Sequence, residues 1–177
     1  MIQVGDERPL TQGKFSPDGQ VFATTGWTGL VKLWSVPDGK HLKTLKGPET
    51  RCHGLAFAPI DENAMSTDDY TIATAMANGK IQIWNTERPN EPAATFTGHE
   101  DRVNRVVWHP MGKFVASTSH DTTWRLWDVE RETELLCQEG HSSGTCSFSF
   151  DRAQRRNFVD GINVMETPRV ELSADQC

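Results

Sequence analysis

Apolar and polar residues alternate with period two along most of this chain, in short runs broken by Pro, Gly and Asp, and that pattern predicts β-strands. In the first stretch the predicted strands are Leu10 to Phe15, Val21 to Gly26, Leu30 to Val36 and His41 to Leu45. The turns Ser16-Pro17-Asp18-Gly19 and Pro37-Asp38-Gly39 separate them. A second stretch gives Cys52 to Phe57, Tyr70 to Ala75, Lys80 to Trp84 and Ala93 to Thr97. The third gives Val103 to Trp108, Phe114 to Ser119, Trp124 to Val129 and Glu134 to Cys137.

The stretches are copies of one unit. Leu33-Trp34-Ser35, Ile83-Trp84-Asn85 and Leu126-Trp127-Asp128 each end a strand in Trp and a small polar residue, at spacings of 84 − 34 = 50 and 127 − 84 = 43. A glycine also stands ten residues before an aromatic in Gly5 to Phe15, Gly47 to Phe57, Gly98 to Trp108 and Gly140 to Phe150. A period near ~40–45 residues with Gly-His and Trp-Asp marks predicts four-stranded propeller blades. The expected fold is all-β, a partial propeller of three four-stranded blades plus the first strand of a fourth, Thr145 to Phe150. Residues 1–150 form the repeat domain, and 151–177, without a Pro/Gly turn or another Trp strand, read as a non-repeat tail, disordered or aberrant. The interval from Phe57 to Trp84 is 27 residues where the other two are 19, which places an insertion at Pro59 to Asp69. It carries Asp61, Glu62, Asp68 and Asp69, and reads as a solvated acidic loop on the face opposite the Gly-His turns, with a docking loop for a basic partner as the alternative.

Composition narrows the function classes. At 36% hydrophobic and 24% charged residues, the chain resembles ordinary globular material with enough apolar content for a core. Acidic residues interrupt the N-terminus before an apolar run develops, so no membrane span or secretory signal is expected. Cys52, Cys137, Cys146 and Cys177 form no C-x-x-C pair and are expected as reduced thiols. A net charge of −6 opposes a general grip on phosphate backbones, so contact with RNA is expected to be indirect or local.

The third unit also contains His99, Ser117, Asp121 and Trp127. A catalytic Ser-His-Asp set is the weaker reading, because Ser117 lies inside an alternating strand without a G-x-S-x-G elbow. The expected arrangement is a structural network: the Asp121 carboxylate holds the His99 ring, which meets the Ser117 hydroxyl, which meets the Trp127 indole. Asp6 and Pro48 stand at the His99 position of the other units, Thr28 and Asn78 at the Asp121 position, and Thr24 and Thr74 at the Ser117 position. Blades one and two are therefore expected to be less tightly tied. His109 and His120 show no ligand spacing, and no catalytic residue, metal or cofactor is expected. Trp27, Arg51, Arg102 and His120 share offsets that line one face, and exposed aromatic and Arg residues are common interface anchors, so these four are the candidate partner-binding residues. Trp27 packing on the neighbouring blade is the alternative.

Over about the first 150 positions these marks resemble the WD-repeat family. Trp27-Thr28-Gly29-Leu30-Val31-Lys32-Leu33-Trp34-Ser35, Trp108-His109-Pro110-Met111-Gly112-Lys113-Phe114 and Trp124-Arg125-Leu126-Trp127-Asp128 are similar to the WD-repeat proteins of the U4/U6 small nuclear ribonucleoprotein, as are Gly5-Asp6-Glu7-Arg8-Pro9 and Gln138-Glu139-Gly140-His141-Ser142. That resemblance implies a non-catalytic scaffold in nuclear pre-mRNA splicing, with U4/U6 proteins and a cyclophilin as partners and U4 and U6 RNA contacted indirectly. The alternative is a general WD-repeat adaptor in another intracellular assembly. Family propellers have about seven blades, roughly 280–315 residues at ~40–45 each, so the sequence reads as a truncated form, lacking the family's segment ahead of the propeller and exposing blade edges to self-association.

Overall fold

The computed structural model describes residues 6–47, 50–59 and 70–139, and in them twelve strands form three antiparallel four-stranded sheets in chain order. Blade one is β1 (Leu10–Phe15), β2 (Val21–Gly26), β3 (Leu30–Ser35) and β4 (His41–Lys46). Blade two is β5 (Cys52–Phe57), β6 (Thr71–Met76), β7 (Ile81–Asn85) and β8 (Ala94–Phe96). Blade three is β9 (Val103–Trp108), β10 (Phe114–Ser119), β11 (Trp124–Asp128) and β12 (Thr133–Gln138). Each strand boundary lies within one residue of its sequence expectation. This is the architecture of a partial WD-repeat propeller. The expected fourth-blade strand, residues 60–69 of the expected insertion and the tail from residue 151 lie outside the described residues.

Local chemistry sets the turns. Between β1 and β2 the Gly19 amide donates to Ser16 O at 2.9 Å and Gly19 takes φ 74°, the left-handed conformation that glycine adopts without a Cβ clash. The β9–β10 turn repeats this at Gly112, with its amide 2.9 Å from His109 O and φ 73°.

The inner strands β1, β5 and β9 stand side by side, with β5 in the middle. The Leu55 amide donates to Gln12 Oε1 at 2.7 Å across the first junction. At the second, Gly54 lies so near β9 that a Cβ there would sit 3.0 Å from Asn104 O. Between the sheets lie two apolar layers. Val21, Ala23, Val31, Leu33 and Leu45 of blade one meet Leu55, Ile72 and Trp84 of blade two. Ala73, Ala75, Ile81, Ile83 and Phe96 of blade two meet Val103, Val106, Trp108, Val115 and Trp127 of blade three.

The repeat Trp drives this stacking. Trp84 is 1% and Trp127 2% exposed. Burying such a side chain removes roughly 150–250 Å² from water, about 4–6 kcal/mol at ~25 cal/mol per Å². Its indole hydrogen bond contributes about 1 kcal/mol, so packing supplies the energy and the bond sets the ring orientation. Position for position, Phe15 of blade one corresponds to Phe57 and Trp108. Trp108 is 9% exposed and donates to Ala56 O of the preceding blade at 3.2 Å, while Phe15 is 62% exposed and touches Phe22 of its own sheet, centroids 4.7 Å apart. Among the described residues, only blade two is covered on both faces.

The β2–β3, β6–β7 and β10–β11 turns carry Gly29, Gly79 and Thr122 at one repeat position, with φ 79°, 77° and 69°. A Cβ on Gly79 would lie 2.5 Å from His99 O of the next blade, whereas one on Gly19 would meet nothing within 4 Å. Gly19→Ala is therefore expected to cost about 1 kcal/mol of left-handed strain. Gly79→Ala should cost roughly 2–4 kcal/mol, because the turn must also move off blade three. Equal losses in urea unfolding would contradict this close approach.

Candidate interaction face

One end of the blades holds both the polar network and the candidate surface residues. His99, in the turn leading to β9, packs 8% exposed against β10 and β11. Its Nδ1 lies 2.7 Å from Asp121 Oδ2 and its Nε2 2.8 Å from Ser117 Oγ. The Trp127 indole Nε1 donates to the same Ser117 oxygen at 2.8 Å. The donors run in one direction when His99 is neutral: Trp127 to Ser117, Ser117 to His99, His99 to Asp121. Thr123 ties down the far carboxylate oxygen, donating to Asp121 Oδ1 at 2.9 Å from its amide and 2.7 Å from its hydroxyl.

Burial pushes the His99 pKa below its ordinary value of 6.5, and the hydrogen bond and charge of Asp121 oppose this without overcoming it. For Asp121, burial acts upward, but the bonds from Thr123 and His99 outweigh it and hold the carboxyl at about 2. Ser117 is 0% exposed within β10 and its oxygen accepts from the Trp127 indole, so a substrate carbonyl has no approach to it, although its bond to His99 has the sense found in a nucleophile set.

The other blades hold parts of this chain of bonds. In blade one Trp34 Nε1 donates to Thr24 Oγ1 at 3.0 Å, and Thr28 donates to the Asp6 carboxylate, which also lies 3.9 Å from Lys32. No described bond joins Asp6 to Thr24, because a carboxylate is too short to span the gap that the imidazole ring fills. In blade two Trp84 Nε1 donates to Thr74 Oγ1 at 3.1 Å, and Asn78 Oδ1 accepts from the Lys80 amide at 3.2 Å. Pro48 lies outside the described residues.

Trp27, Arg51, Arg102 and His120 lie on the adjoining surface. Trp27 is 39% exposed, and Arg51 of the neighbouring blade places its guanidinium 4.3 Å from the centroid of the indole. The ring is thus both a surface group and part of a blade junction. Arg102 Nη2 lies 2.5 Å from His120 Nε2, a guanidinium against an imidazole nitrogen. Backbone pairing fixes the set: Trp27 N bonds Pro9 O, Ala77 N bonds Arg51 O, and His120 N bonds Arg102 O.

Between the two arginines stands His53, which the spacing of sequence marks does not single out. Burial, then Arg102, Arg51 and His120, push its pKa below the ordinary value. Its repeat equivalents are Thr11 and Asn104, so residue type carries no signal there, and only the fold brings it into the cluster. Elsewhere, burial lowers the pKa of His109, whose Nδ1 accepts from the Met111 amide at 3.2 Å. Burial pushes the Cys52 thiol up to about 11, and Cys52 and Cys137 are free thiols, while Cys146 and Cys177 lie outside the described residues. Among the described residues no group of three or more His, Cys, Asp or Glu is arranged to hold a metal ion. None of their helices is long and apolar enough to cross a membrane.

Three stacked four-stranded blades with a Trp on each third strand, buried in blades two and three, are the architecture of WD repeats, and the WD domain, G-beta repeat family matches residues 5–35 and 90–128. The chain carries WD repeats. Among individual proteins it is similar to U4/U6 small nuclear ribonucleoprotein PRP4 of Saccharomyces cerevisiae, 33% identical over 141 residues, 78% of this chain and 29% of that protein. It is also similar to U4/U6 small nuclear ribonucleoprotein Prp4 of Bos taurus, 43% identical over 75 residues, 42% of this chain and 14% of that protein. An uncharacterized WD repeat-containing protein of Schizosaccharomyces pombe is 38% identical over 118 residues, 66% of this chain and 25% of that protein. The chain thus spans between 14% and 29% of the length of these relatives.

Asp121→Ala should strip His99 of its acceptor and destabilise the chain by roughly 1–3 kcal/mol, the cost of an unpaired buried donor. Asn78→Ala should cost less, since Asn78 makes only a local turn bond. The pH dependence has one sign for both groups. His99 has a lowered folded pKa, so stability present above 6.5 is lost as the unfolded chain takes up protons below it. Asp121 adds a further loss as pH falls from 3.8 towards about 2. Urea unfolding midpoints against pH check both parts; equal midpoints for the two variants, or no acid weakening, would contradict them.

Proposed function

We propose that this chain acts as a non-catalytic protein-interaction scaffold of the U4/U6 small nuclear ribonucleoprotein in nuclear pre-mRNA splicing, as part of a PRP4-type protein, pre-mRNA-processing factor four. The observation that carries this reading is the 33% identity to the yeast U4/U6 protein over 78% of the chain. Its partners are then the other U4/U6 proteins, with U4 and U6 RNA held through them, since a net charge of −6 disfavours a direct phosphate grip. In this reading the His99, Ser117, Asp121 and Trp127 network holds the blade, and Trp27, Arg51, Arg102 and His120 meet the partner. The similarity to the fission-yeast WD repeat-containing protein favours a second reading, a WD-repeat adaptor in another assembly.

Affinity purification of the tagged chain from nuclear extract distinguishes the two. U4 and U6 RNA with their proteins are expected in the eluate, and their absence would transfer the role to the second reading. Trp27→Ala combined with Arg102→Ala should reduce that capture severalfold while leaving the fold intact by circular dichroism; undiminished capture would remove the partner role of this face.

The exposed side of blade one supports self-association of the isolated chain. Phe15 and Leu10 are 62% and 51% exposed on the inner strand, and the matching positions of blades two and three pack on a preceding sheet, so a second copy offers the same kind of surface. Light scattering after size exclusion should show mass rising with concentration. Phe15→Asp should lower it, and a concentration-independent monomer would refute the proposal.

A further inference from the structure

Each inner strand carries one extra residue at the same place. Pairing steps from Leu10 to Gln12 past Thr11, from Cys52 to Gly54 past His53, and from Val103 to Arg105 past Asn104. A bulge of this kind leaves a residue out of the ladder and re-aims it. In blade one the Thr11 hydroxyl is committed to the blade junction, donating to Cys52 O at 2.6 Å. In blade two the bulged residue is an imidazole.

Cationic groups surround it. Arg51, just ahead of β5, spans to Trp27 of blade one, and Arg102, at the same repeat position ahead of β9, holds His120 at 2.5 Å. Among the described residues none of Arg51, His53, Arg102 and His120 has a carboxylate oxygen within 4.0 Å of a charged nitrogen. The adjacent Asp101 turns its Oδ1 to the Arg102 backbone amide at 2.6 Å. In a chain of net charge −6, an unneutralised cluster of two guanidinia and two imidazoles is a local reversal of sign.

We propose that Arg51, His53, Arg102 and His120 bind the carboxylate side chains of an acidic peptide segment of a protein partner, whose neighbouring apolar side chain lies on Trp27. The inference rests on the reading of this face as the partner surface and adds the occupant's chemistry. Guanidinia pair with carboxylates in charge-assisted, bidentate fashion. A nucleic-acid strand fits less well: it carries a charge at every nucleotide, the cluster is compact, and the rest of the chain repels a polyanion. Trp27 also has one ring face covered by Arg51, which leaves less of it for a stacked base. A bound carboxylate reverses the field at His53: the two arginines and His120 disfavour its proton in the free protein, and the anion favours it.

Fluorescence anisotropy with the full chain tests this, using a fluorescein-labelled peptide with an alternating glutamate and leucine centre, its glutamine counterpart, and single-stranded oligouridine. The glutamate peptide should bind, and added salt should weaken it. The pair Arg51→Ala and Arg102→Ala, and equally the glutamine counterpart, should each weaken binding by about tenfold or more. Binding should tighten as pH falls through 6.5 and below, where His53 takes up a proton in the complex before it does in the free protein, and His53→Gln should flatten that dependence. If the alanine pair perturbs the unfolding midpoint, Arg51→Gln with Arg102→Gln replaces it. Equal affinity for the glutamine peptide, an unaffected arginine variant, or tighter binding to oligouridine overturns the proposal. Loss of ribonucleoprotein capture with peptide binding intact would instead count against the splicing role alone.

Discussion

An apolar sheet face left in water is the constraint on which the rest of this chain depends. A four-stranded antiparallel sheet satisfies its own backbone but has no means of burying both its faces. Each blade therefore presents small and branched residues, such as Ala73 and Ile83, to the Trp and inner-strand aromatic of the next, here Trp127 and Trp108. Flexible or polar substitutes would fail, because the layer must be filled at close-packed density between two twisted surfaces. The junction also dictates where side chains are forbidden. Gly54 lets β5 reach β9, and Gly79 lets a turn reach the carbonyl of His99.

Once the layer is dry, polar groups within it must satisfy one another. The Trp127 indole, Ser117 hydroxyl, His99 ring and Asp121 carboxylate do so in a single directed chain. Blade one offers Asp6 in place of the ring, and its bonds divide into two separate pairs. The same Trp-to-hydroxyl bond recurs in all three blades, which marks it as the common element, with the ring and carboxylate an addition in blade three.

The same junctions shape the surface at that end of the blades. Because inner strands lie side by side, residues far apart in sequence, Trp27 and Arg51 or His53 and Arg102, become neighbours across a blade boundary. Positive charge collects there while the chain as a whole is acidic. A rigid stack holds such a cluster without the ordering entropy that a flexible loop would lose on binding.

Much of this was legible in the sequence, because its causes are local. Period-two alternation, Asp-Gly turns and the recurrence of Leu33-Trp34, Ile83-Trp84 and Leu126-Trp127 determine strands, blades and their order, and fixed offsets within one repeat locate His99, Ser117 and Asp121 on one network. Trp27, Arg51, Arg102 and His120 were also accessible as repeat offsets, but not their pairing. The bulge that frees His53, the span from Arg51 to Trp27 and the exposure of Phe15 relative to Trp108 belonged to the tertiary structure alone. Each is settled by what the adjacent sheet presents, and a residue's own neighbours in sequence carry no information about the surface packed across from it.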